Sequence, residues 1–115
     1  MIIKDLGDSL FSILIDESRD ISIKEQMAVV LWYVHNNGHI IERFLGIQHV
    51  RDTTASSLKA TIEALFSKHG LSISRLRGQG YDGASNMRGE FNSLKTLILN
   101  NNPNAYYVYC FAHRL

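Results

Sequence analysis

The sequence predicts an α/β domain on a mixed sheet, in the order β-β-β-α-β-α-β. Three observations carry that reading. Leu10 to Ile15, LFSILI, is a short apolar run of strand-forming residues that stops at Asp16 and Glu17. Met27 to Val34, MAVVLWYV, is followed by Asn36-Asn37-Gly38 and a second extended run, the pattern of a hairpin. Downstream the spacing becomes helical, first at Leu58, Ile62, Leu65 and Phe66, then at Met87, Phe91, Leu94 and Ile98.

Taken in order, the first strand is expected to be buried and to end at Asp16. The second is apolar on both parities, as in a strand inside a covered sheet. Ile40 to Val50 returns as its antiparallel partner. Asp52 or Thr53 is placed to cap a helix over 53–69, with Gly70 to end it. A short strand over 71–76 then leads into the glycine-rich stretch GQGYDGASNMRG. Gly89 costs a helix roughly 1 kcal/mol relative to alanine, which predicts an irregular first turn for the second helix. Asn100 to Asn104, NNNPN, ends that helix, and Ala105 to Cys110 reads as a fifth strand.

The chain has 115 residues, 45% of them apolar, enough for one small domain. Twelve Lys and Arg against eleven Asp and Glu leave a formal charge of +1, so no net basic excess announces nucleic-acid binding. The single cysteine, Cys110, cannot form an internal disulfide, which fits a reducing compartment. No apolar run is long enough for a signal peptide or a membrane span, so a soluble intracellular protein with no membrane partner is expected.

The glycine-rich stretch admits two readings. Gly78-x-Gly80-x-x-Gly83 matches the dinucleotide-binding pattern. That fingerprint calls for an acid about 20 residues on, where this chain has NNNPNAY, and Asp82 would repel a pyrophosphate inside the cradle. No nucleotide cofactor is therefore expected. In the other reading the glycines allow a sharp turn that presents Asp82 at a strand end. A right-handed helical crossover makes the first and fourth strands parallel neighbours, which brings Asp82 beside Asp16. Two such carboxylates suit a hard divalent cation. Aspartate at a strand end is also common for local hydrogen-bonding reasons alone.

FSILIDESRDISIKEQMAVVLWYV, HVRDTTASSL, GLSISRLRGQGYDGASNMRGEFNSLKTLI and YYVYCFAHRL together resemble the core of hAT-superfamily transposases. The likeness is to plant proteins of the TTF-type zinc-finger and zinc-finger MYM-type-like kind, with the DUF4371 type of domain, and it covers essentially the whole chain. It implies a ribonuclease-H-like fold with strand order 3-2-1-4-5, nuclear localisation and metal-dependent DNA strand transfer. In that chemistry Mg²⁺ or Mn²⁺ ions held by three acids activate the attacking oxygen and stabilise the leaving one. By residue match the first two acids are Asp16 and Asp82. A Cys-x-x-His element is matched by Cys110 and His113. It resembles half a zinc site, and His35, His39 and His49, expected around the hairpin, do not complete it.

The resemblance places the third acid beyond residue 115, after a largely helical insertion. The run 1–115 thus reads as a partial ribonuclease-H-like domain, stopping before the final helix and inactive by itself. Right-handed crossovers put both helices on one sheet face, so the other face is expected to expose apolar surface and to cause dye binding or self-association. The alternative class is a domesticated, non-enzymatic protein-interaction domain in the nucleus.

Overall fold

The computed structural model describes residues 9–19, 25–82 and 88–107. Five strands and two helices follow the predicted order: β1 Phe11–Arg19, β2 Glu25–Val34, β3 Ile40–His49, α1 Ala55–Lys68, β4 Leu76–Asp82, α2 Arg88–Asn101 and β5 Tyr106–Tyr107. They form one mixed sheet in the order β3-β2-β1-β4-β5. The strands β1 to β3 are an antiparallel meander, and β4 pairs in parallel with both β1 and β5. This is the strand order that the resemblance implies.

Alternation along the strands decides which side is the core. Phe11, Ile13 and Ile15 of β1 and Met27, Val29, Leu31 and Tyr33 of β2 share one face and are almost fully buried. Both helices cover that face. Leu58, Ile62, Leu65 and Phe66 of α1 and Phe91, Leu94 and Ile98 of α2 are the buried stripes, at the spacing that helical periodicity requires. Phe66 meets Phe11 edge to face, with ring centroids 5.4 Å apart. The other parity of β2 is only half-buried, and Val34 is exposed. The strand is central but is not covered equally on both sides.

Thr54, rather than Asp52 or Thr53, is the N-cap of α1, and its side chain accepts from the Ser57 N–H. Asp52 acts one step earlier, accepting from the Thr54 N–H at 3.0 Å and the Ser57 hydroxyl at 2.8 Å. Those bonds, the Thr54 N–H first, hold the Asp52 carboxyl below its ordinary pKa. The helix ends at Gly70 as expected. With φ +74° this residue takes the left-handed conformation, and the Leu71 N–H reaches back to the Phe66 carbonyl at 2.8 Å.

Three boundaries differ from the sequence reading. β1 does not stop at Asp16 but runs on to Arg19, because β2 continues to pair with it. The segment 71–76 is mostly a 3-10 turn, Ile73–Arg75, and the fourth strand begins at Leu76 and incorporates Gly78 and Gly80. Pairing with β1 holds both glycines extended, and β5 adds a partner on the other side of Gly78. Gly89 lies within the first turn of α2, and a Cβ there would meet nothing within 4 Å. Met87, Gly83 and residues 108–115 fall outside the described residues.

A β-bulge at Leu45 and Gly46 was not legible in the sequence. Val29 pairs with Gly46 and Val30 with Phe44, leaving Leu45 as the extra residue, and Gly46 has φ +150°. The bulge buries Leu45 and shifts the parity of β3, so that Ile47 faces the uncovered side.

Asn102 fastens the end of α2 to the start of β4. Its buried side-chain amide donates to the carbonyls of Ile73 and Leu76 at 2.8 Å each, and its oxygen accepts from the Asn104 N–H at 3.0 Å. Asn102→Ala leaves those carbonyls short of a donor and is expected to cost about 2–3 kcal/mol. Urea unfolding followed by circular dichroism checks this; a loss under about 0.5 kcal/mol would mean that water replaces the amide.

Candidate active site

Asp16 and Asp82 are direct register partners at the end of the β1–β4 ladder. Neighbouring strands lie about 4.8 Å apart, and paired residues project to the same face, so the two carboxylates stand side by side. Both belong to the face that the helices leave uncovered, Asp16 exposed and Asp82 half-buried. The Asp16 carboxyl is raised above its ordinary pKa, first by partial burial and then by the negative charge of Asp82. Mutual repulsion of this kind is what a bound cation relieves.

Alternation separates Asp16 from its neighbour. Glu17, with 4% of its surface exposed, points to the helix-covered face, so the choice of Asp16 over Glu17 for the open-face pair follows from the register. Asp20 lies outside the described residues. Glu90 is in the first turn of α2 and half-buried. Among the described residues no three His, Cys, Asp or Glu side chains converge, so Asp16 and Asp82 stand as a pair.

Behind Asp82, β4 is anchored by a polar network that sequence reasoning missed. Gln79 is fully buried on the helix side, and its amide donates to the Ala105 carbonyl at 2.9 Å and the Lys95 carbonyl at 3.4 Å. The Tyr81 hydroxyl donates to the Gln79 side-chain oxygen. Burial, and secondarily Tyr107, pushes the Tyr81 phenol well above its ordinary pKa, so it remains a donor at physiological pH. The Tyr81 ring stacks on Phe91, with centroids 5.1 Å apart, and faces Tyr107 at 6.4 Å. The strand that ends in Asp82 is thus tied to both α2 and β5. A glutamine inside a glycine-rich stretch gave no signal of this role, because its partners are 16 and 26 residues away.

The remaining candidates do not join the pair. Cys110 and His113 lie outside the described residues. His35 and His39 flank the β2–β3 turn, where the His35 N–H donates to the His39 carbonyl at 2.8 Å. His49 is at the opposite end of β3, paired with Gln26. Nine residue steps separate it from the turn, about 30 Å along an extended strand, so the three histidines are not the cluster expected from sequence. Gly78 and Gly80 lie within β4 rather than in a turn that opens a helix.

The donor set fits a hard divalent cation: two carboxylates, oxygen ligands only, at the open end of adjacent strands. Such an ion would supply charge stabilisation and an activated oxygen nucleophile. No helix among the described residues is long and apolar enough to cross a membrane.

A mixed five-stranded sheet in this order, with two helices on one face, is the architecture of an RNase-like α/β domain. The chain belongs to the DUF4371 family, whose description, ZMYM1/FAM200, RNase-like domain, matches residues 1–93.

Proposed function

We propose that this chain is the front part of a transposase-derived catalytic domain of the hAT type, related to the plant TTF-type and zinc-finger MYM-type-like proteins. Asp16 and Asp82 supply two of the ligands for Mg²⁺ or Mn²⁺ in DNA strand transfer. The observation that carries this reading is the direct opposition of the two aspartates across the β1–β4 ladder. A two-carboxylate set binds such an ion weakly, so this chain alone holds the metal without completing DNA cleavage. The setting for that chemistry is the nucleus, with DNA as the partner of the complete protein.

Titration with Mn²⁺, read by its electron paramagnetic resonance signal, tests the ligand assignment, and plasmid nicking tests the chemistry. The chain is expected to bind Mn²⁺, to lose binding by about tenfold or more in Asp82→Asn, and to leave supercoiled DNA intact. Unchanged Mn²⁺ binding in Asp82→Asn would sink the pair as a metal site. Nicking by the parent chain that disappears in Asp16→Asn would instead show a complete catalytic centre and overturn the assigned inactivity.

A second reading has its own observation. Val34, Ile40, Phe44 and Ile47 are all at least half exposed on the uncovered face. A domesticated, non-enzymatic domain would use such a surface to hold another protein.

A further inference from the structure

The β2–β3 turn brings two histidines together at the end of the sheet away from the aspartate pair. The His35 N–H donates to the His39 carbonyl at 2.8 Å, and the Gly38 N–H to the His35 carbonyl at 2.8 Å. Gly38, at φ +87°, is the left-handed residue that closes a three-residue hairpin loop over 36–38. His35 and His39 therefore oppose one another, continuing the ladder one step beyond Val34 and Ile40. Opposed residues project to one face with Cβ atoms about 5 Å apart, close enough for two imidazoles to converge on a single ion. Ala28, the β2 partner of Asp16, is seven residue steps from His35, about 23 Å along an extended strand.

The loop holds that spacing. The His39 N–H donates to the Asn37 side-chain oxygen at 3.0 Å, which ties the exit of the turn to its centre. Among the described residues the one hydrogen bond to either imidazole runs from the Asn37 N–H to His35 Nδ1 at 3.5 Å, beyond the usual length and easily displaced. His39 is exposed and His35 half-buried, so water and ions reach both. Glu42, the acid nearest in sequence, belongs to the opposite face. It pairs with Trp32, whereas the two histidines share the parity of Tyr33 and Ile41. Two neutral nitrogen donors without a carboxylate make a poor site for Mg²⁺ or Mn²⁺. They suit the borderline ions that favour imidazole, Ni²⁺, Cu²⁺ and Zn²⁺.

We propose that His35 and His39 chelate a divalent transition-metal ion of that class, with water completing its coordination, so that the ion staples β2 to β3 at the turn. Two protein ligands hold such an ion less tightly than the three or four of a dedicated catalytic or structural centre. The inference does not rest on the aspartate pair, which takes a harder ion through oxygen ligands at the other end of the sheet.

Titration of the chain with Ni²⁺, followed residue by residue through paramagnetic broadening of the amide NMR signals, tests it. With the chain at about 100 µM and one equivalent of Ni²⁺, broadening centred on residues 35–39 is expected. His35→Ala and His39→Ala are each expected to weaken the binding by about tenfold or more, because the second imidazole adds as an intramolecular ligand. His49→Ala, on the same strand but about 30 Å from the turn, is expected to leave it unchanged. The same spectra report whether each variant folds, and His35→Gln, closer to the ring in bulk, serves if His35→Ala does not. The amides of Asp16 and Asp82 report any ion at the aspartate pair separately. Broadening absent at this concentration, or confined to residues outside the turn, overturns the site as an adventitious ion only. Weakening in one folded variant and not in the other overturns the chelate, since a single imidazole would behave that way.

Discussion

Asp16→Asn is expected to raise the melting temperature of the chain in EDTA at neutral pH and to abolish the further rise that Mn²⁺ gives the parent. The first effect follows from the raised pKa of Asp16. A carboxyl whose pKa is higher in the folded chain than in the unfolded one favours folding in its protonated form. Its contribution is complete below the ordinary carboxylate range and is lost as pH rises through the raised value. At neutral pH the ionised group therefore opposes folding, and asparagine removes both its desolvation and its repulsion with Asp82.

The second effect is a binding linkage. At about tenfold its Kd, an ion that binds only the folded chain stabilises it by about 1.4 kcal/mol, a shift of several degrees for a domain of this size. Asparagine at position 16 leaves one carboxylate, so the shift should vanish. Differential scanning calorimetry of both proteins, with EDTA and with Mn²⁺, reads the two signs in one experiment. Equal Mn²⁺ shifts would remove Asp16 from the site. A lower melting temperature for the variant in EDTA would mean that a stabilising contact, not repulsion, dominates at the carboxylate.

Phe11→Ala is expected to cost about 3–5 kcal/mol, a large part of the 5–15 kcal/mol that stabilises a typical domain. The ring is 1% exposed, packs edge to face on Phe66 and lies under the Arg75 guanidinium at 5.9 Å. Arg75 in turn donates to the Ser9 carbonyl at 2.7 Å. Truncation would open a cavity between β1 and α1 and remove the platform beneath that cation. Urea unfolding should show the midpoint falling by more than 1 M, taking a slope of about 1–3 kcal/mol per molar. Phe11→Leu should lose much less, about 1–1.5 kcal/mol. Equal losses in the two variants would mean that ring packing is not the source of the stability.

The candidate site was more legible in the sequence than its surroundings. Asp16 follows an apolar strand and Asp82 follows a glycine-rich one, and a right-handed crossover is enough to make those strands neighbours. The boundaries were less legible, because they depend on what lies alongside. β1 continues beyond Asp16 only because β2 runs beside it, and Gly78 and Gly80 are strand residues because β1 pairs with both and β5 pairs with Gly78. Local propensity favours a turn at both glycines, and ladder pairing overrides it.

The order of elements, the buried stripes of both helices and the adjacency of Asp16 and Asp82 were readable from the residues, since each depends on periodicity or on chain connectivity. The rest depends on how distant segments pair and pack. The bulge at Leu45 reverses the parity of the last third of β3 and turns Ile47 outward, and a one-residue offset of this kind is invisible in a strand apolar on both sides. The carbonyls that claim Asn102 and the buried amide of Gln79 are set by elements more than ten residues away. Register across strands, unlike alternation within one, is a property of the pairing, and it alone places Phe44 in line with Gly80 and Asp16 beside Asp82.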